Sequence, residues 1–92
     1  MTQGHASISR EILERYAADA AMEVEGVRAL AGRRSIRIDN GRVELHLCVE
    51  WSASIPDVGR EVQVRVHEYL ERMAGLVPTA VDVVVDEFGP AS

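Results

Sequence analysis

Hydrophobic and polar residues alternate with least interruption between Ser35 and Trp51, SIRIDNGRVELHLCVEW. Val43, Leu45, Leu47, Val49 and Trp51 fall on one side of an extended strand, and Glu44, His46, Cys48 and Glu50 on the other. That is the period of two expected of a sheet with one buried face. Ahead of the run, Asp39-Asn40-Gly41-Arg42 reads as a tight hairpin turn. A type I′ turn needs positive φ at both central residues, and Asn and Gly tolerate it best. The pattern predicts a hairpin whose long arm supplies the core, with Trp51 as its last buried residue.

Two stretches repeat instead at helical spacing. In the first, Ile12, Leu13, Tyr16, Ala17, Ala20, Ala21 and Val24 share one stripe. Ser9 is placed as its N-cap, and Gly26 as its left-handed end with Val27 tucking back. This predicts a helix from about Ser9 to Glu25, flat on its alanine side. The second opens at Pro56 beside Asp57 and presents Val58, Val62, Val66, Tyr69, Leu70 and Met73, ending at Gly75. Glu61–Arg65 and Glu68–Arg72 are i,i+4 pairs on its outer side. Gly59 inside this helix costs about 1 kcal/mol relative to Ala, which predicts a close backbone approach there. Arg28 to Arg34 reads as a connector pivoting on Gly32. A last strand runs from Val81 to Asp86, with Val81, Val83 and Val85 inward, Asp82, Val84 and Asp86 outward, and Phe88 as an anchor.

Helices with one apolar stripe and strands with one apolar face pack as an α+β two-layer sandwich. The predicted order is αββαβ, two helices on one face of a three- to four-stranded sheet. A short strand over Ala6–Ser9 is optional and would make the order βαββαβ, as in ferredoxin-like folds. The last strand is expected to pair parallel with the long one through a crossover over the second helix. One domain over residues 6–88 is expected, with 1–5 and 89–92 as flexible ends.

Composition adds little to this and excludes much. The chain has 92 residues, 47% hydrophobic and 27% charged, ordinary for a globular domain and unlike a disordered one. No apolar run approaches the roughly 20 residues of a membrane span, and MTQGHASIS lacks the make-up of a signal peptide. Direct membrane insertion is therefore not expected. The single cysteine excludes an internal disulfide and fits a reducing cytoplasm. All ten basic residues are arginine, as coding bias in a high-GC, actinobacterial-like genome produces. The net charge is −5, yet Arg28, Arg33, Arg34, Arg37 and Arg42 crowd one window as a candidate basic patch.

Candidate chemistry is sparse. Cys48 and His46 share a strand face, but no third group or Gly-rich oxyanion turn accompanies them. Metal-ligand spacings such as CxxC or HxxxH do not occur, and no glycine cluster cradles a phosphate. No catalytic residue, metal or cofactor is expected. Nucleic acid is a poor match, since the chain is acidic and only 4% aromatic, without stacking platforms. The remaining candidate is the outward sheet face, Glu44, His46, Cys48, Glu50, Asp82, Val84 and Asp86, which no predicted helix covers. It is either solvated or a contact surface.

The segments IS-x-EIL-x-x-YAADAAMEVEGVRAL, the NG hairpin with VELHLCVEW, and SIPDVGREVQVRVHEYLERMAGLVPTAVDVVVDEF together resemble the alkaline shock protein family. The family includes the general-stress Gls proteins and the envelope stress response proteins of Gram-positive bacteria. Glu25-Gly26-Val27, Ile55-Pro56, Val62-Gln63 and Met73-Ala74-Gly75-Leu76 carry the likeness, in order, over about Ile8 to Phe88. Trp51-Ser52 stands where members commonly have Tyr-Gly, and the long charged tails of many members have no counterpart. The resemblance implies a non-enzymatic cytoplasmic protein of envelope homeostasis. Such a protein self-associates and is held at the inner face of the membrane by a membrane-anchored partner. Two alternatives remain. Iron–sulfur or metal-handling domains share a similar element order, but need a cysteine in the loop before the second helix, where Trp51 to Pro56 has none. An RNA-binding module would use the Arg28–Arg42 patch.

Overall fold

β3 (Arg42–Glu50) runs through the middle of the sheet, and every other strand is paired to it. The computed structural model describes residues 8–32 and 34–89. Around β3 the chain places α1 (Arg10–Met22), β1 (Val27–Leu30), β2 (Ile36–Asp39), α2 (Ile55–Ala74) and β4 (Ala80–Gly89). The α+β sandwich is as the sequence predicts, and so is the parallel pairing of β4 with β3, from Arg42↔Ala80 onward. The turn also holds: Asn40 and Gly41 have φ of 52° and 80°.

The fourth strand is not where it was expected. Ile8 and Ser9 enter α1 without pairing, and Ala6 and Ser7 lie outside the described residues. The strand comes instead from the supposed connector: β1 pairs antiparallel with β3, Val27 against Val49 and Leu30 against Leu47. β2 pairs with the other half of the same edge, from Ile36↔Leu45 to Asp39↔Arg42. The element order is therefore αβββαβ. β1 and β2 are two pieces of one hairpin arm, interrupted opposite His46. The amide of Ala31 donates to the His46 carbonyl at 2.8 Å, and the His46 amide donates to the Ser35 carbonyl at 2.7 Å. One residue of β3 thus ties both ends of the excursion.

The core lies between the helices and one sheet face. Val43, Leu45, Leu47 and Val49 are fully buried against Ala17, Ala20 and Ala21 of α1 and Val58, Val62, Val66 and Leu70 of α2. Tyr16 and Tyr69 meet edge to face at 5.8 Å, joining the helices, and Arg72 lies over the Tyr69 ring. Ser9 and Ser54 cap the helices through Ile12 and Asp57 amides, and Gly75 closes α2 in the left-handed region.

Trp51 is 69% exposed, because β3 ends at Glu50 and the chain turns before the indole can reach the core. Ile12 and Met73 are exposed as well, each at the margin of its helical stripe. α1 ends at Met22 with Glu23 as its C-cap, so Gly26 is not its cap; φ at Gly26 is +99°, and a Cβ there would stand 2.8 Å from Val58 Cγ2. The close approach expected at Gly59 is therefore at Gly26, while Gly59 faces open space. β4 also runs longer than predicted, taking Gly89 out of the expected flexible end and into the sheet, with a bulge after Val85. The anchoring role expected of the Phe88 side chain falls outside the described residues, as do residues 1–5 and 90–92.

Candidate functional site

The even-numbered residues of β3 face away from the helices and meet their counterparts from β2 and β4. Arg37, Glu44 and Asp82 lie in one row across the sheet, and His46 lies beside Val84. The charges on this face engage each other. Arg42 Nε donates to Asp82 Oδ2 at 2.8 Å. His46 sits between two carboxylates, Nε2 at 2.6 Å from Glu44 Oε2 and Nδ1 at 3.0 Å from Asp86 Oδ2. The bond to Glu44, then that to Asp86, holds the imidazolium above the usual histidine range. All these groups are partly solvated, so water and salt screen the pairs and they orient the face more than they stabilise the fold.

Of the predicted face residues, Glu44, His46, Asp82, Val84 and Asp86 come together. Cys48 does not join them as a surface group; it is only 7% exposed. Its neighbours across the sheet are Ala29 and Glu87. The Arg28 guanidinium, from the opposite edge, reaches within 3.2 Å of where a Gly89 Cβ would stand. The Arg28 side chain therefore spans β3 and shields this end of the face. Glu50 also stands apart, lining a groove at the end of the sheet with Glu23, Glu25, Asp57, Glu61 and Arg65. Arg65 crosses that groove, 3.0 Å from Glu61 and 3.8 Å from Glu23.

The basic patch is dispersed. Arg42 belongs to the open face through Asp82, Arg37 stands opposite Glu44, and Arg28 crosses to β4. Arg34 is exposed near Arg10, and Arg33 lies outside the described residues. Both nitrogens of His46 are occupied by carboxylates. Among the described residues no group of three or more His, Cys, Asp or Glu is placed to hold a metal ion.

Two exposed features escaped the sequence reading. Val64 is 45% exposed on α2, beside Val81, in a shallow groove also lined by Gln63, His67 and Glu68. The outer edge of β4 has no neighbouring strand among the described residues. The predicted parallel pairing already implied that edge, since it leaves β4 at the margin of the sheet.

No protein-family model matches the chain. A search of curated proteins finds no match either. Among solved structures, a doubly substituted MamM CTD superposes with a TM-score of 0.65 at 16% identity, over 87% of this chain and 84% of that one. The MamM CTD in its copper form gives 0.63 at 18% identity, over 85% of each chain. The chain shares its fold with the MamM CTD. A substituted MamM CTD in its manganese form gives 0.55 at 17% identity, over 86% of this chain and 99% of that one. The likeness to the MamM CTD thus spans most of both chains and is one of fold.

Proposed function

We propose that this chain is a non-enzymatic interaction module that self-associates. In this reading a membrane-anchored partner recruits it to the cytoplasmic face of the cell membrane, in an envelope stress response of the alkaline shock type. One observation carries the reading: among the described residues, the helices cover one face of the sheet and leave its other face and the outer edge of β4 open. The motifs from Glu25-Gly26-Val27 to Met73-Ala74-Gly75-Leu76 supply the envelope context. No helix among the described residues is long and apolar enough to cross a membrane; in this reading the membrane role works through a partner. Sedimentation velocity over a wide concentration range tests the self-association. The expected result is a sedimentation coefficient that rises with concentration; a strict monomer at high concentration overturns it.

A second reading, a metal-handling domain, draws on the metal-bound forms in which the MamM CTD is solved. Among the described residues no three-ligand group stands ready for it, and at His46 a metal would first have to displace the ion pairs that occupy both ring nitrogens. Metal analysis of the purified protein separates the two: stoichiometric metal favours the second.

A further inference from the structure

We infer that a second copy of this chain docks on the free edge of β4, strand to strand and antiparallel, with Val83 facing Val83 of the second copy. The inference rests on the self-association reading and names its surface and register.

The backbone of β4 sets the surface. His46 turns both its amide and its carbonyl toward the β1–β2 arm. By the alternation of a strand, Val43, Leu45 and Leu47 therefore turn theirs toward β4. In a parallel pair the residue directly opposite a bonded one points its own groups the other way. Val81, Val83 and Val85 stand opposite those three, so their N–H and C=O groups face outward. The Gln63 side chain agrees, donating to the Val81 carbonyl from α2 at 3.0 Å. That carbonyl retains a second lone pair for a neighbouring strand. Edges of this kind are usually blunted by charged side chains, above all lysine, by proline or by a bulge. Between Ala80 and Val85 the one charge is Asp82, which Arg42 engages, and the bulge comes only at Asp86.

The side chains choose the occupant and the register. A two-fold pairing must keep core-side residues on the core side, since a one-residue slip turns every side chain over. Centring on Asp82 would set Asp82 against itself. Centring on Val84 would set Asp82 against Asp86 and run into the bulge. Like charges directly opposite each other oppose pairing. Centring on Val83 avoids both. It sets Val81 against Val85 and Val83 against Val83 on the core side, and Asp82 against Val84 on the open side. The same axis brings the Val64–Val81 shelves of the two copies together along the seam. A second copy matches the edge in length and side-chain pattern, in a closed two-fold arrangement.

Two measurements on the full chain test this. Because the Val83 N–H faces away from β3, Val83→Pro removes no bond of the chain's own ladder. It removes both backbone bonds of the central pair, so self-association is expected to weaken about tenfold or more in sedimentation. Circular dichroism reports whether the variant is folded. The second measurement holds even where it is not. Asp82→Cys and Val84→Cys chains are mixed and oxidised, and a disulfide-linked heterodimer is expected far in excess of either homodimer. Self-association that survives Val83→Pro in a folded variant, or equal cross-linking of all pairs, overturns the β4 docking and leaves self-association standing. A strict monomer overturns both.

Discussion

His46 and Glu44, two residues apart on one strand, hold each other at 2.6 Å on the uncovered side of the sheet, with Asp86 closing on the other ring nitrogen. The imidazole is thus bonded in its charged form, with the hydrogen bond to Glu44 the largest single cause and that to Asp86 the next. By NMR titration His46 is expected to lose its proton at higher pH than an ordinary histidine. Glu44→Gln and Asp86→Asn should each lower that midpoint. A midpoint unmoved by either substitution would refute the clamp. The sign for stability follows from the raised pKa. The contribution is complete below the unfolded-state value near 6.5 and is lost as pH rises through the folded value. Thermal melts of His46→Gln should therefore differ from the parent on the acid side and converge toward alkaline pH.

Gly26 and Gly59 should respond oppositely to alanine. At Gly26 a Cβ meets Val58 in a left-handed backbone, so Gly26→Ala is expected to cost about 2–4 kcal/mol. Gly59 is helical with open space around it, and Gly59→Ala should stabilise by about 1 kcal/mol. Chemical denaturation of both variants reads the two signs directly.

Trp51 is the only tryptophan and lies outside the core. Its fluorescence should be that of a water-exposed indole and be freely quenched by acrylamide in dilute solution. Trp51→Ala is expected to change stability by no more than about 0.5 kcal/mol, whereas Leu47→Ala, fully buried, should cost about 2–5 kcal/mol. A blue-shifted, protected Trp51 in the monomer would contradict the exposed placement.

The Cys48 thiol should react slowly with Ellman's reagent in the native protein and at the normal rate once unfolded, since it is buried at the Arg28 end of the face. Arg28→Ala should speed the native reaction without unfolding the chain. Equal rates in parent and variant would show that Arg28 does not shield it.

Most of the architecture was legible because β3 and α2 have long, regular periods. Val43, Leu45, Leu47 and Val49, and Val58, Val62, Val66 and Leu70, are buried as their spacing predicts. β1 was hidden because four residues with a bulge after Val27 show no clean alternation, and its pairing is set by distant Val49 and Leu47. Trp51 was misplaced by extending a period one residue past the point where the strand ends. The carboxylate clamp on His46 was half legible. Glu44 and His46 share a face by simple alternation, but Asp86 reaches the ring only through the register of a parallel strand forty residues away. Cys48 could not be told from its surface neighbours, because what buries it comes from neighbouring strands.

The interruption opposite His46 has a consequence for how this fold can vary. Ala31 and Ser35 are both pinned to one residue, so the chain between them can change length while Leu30↔Leu47 and Ile36↔Leu45 stay in register. Loop-closure entropy rises only slowly with length, by about 0.6 kcal/mol per doubling. The site is therefore a ready port for insertion, where a foreign peptide or a recognition loop can be grafted into the middle of a hairpin arm without unzipping it.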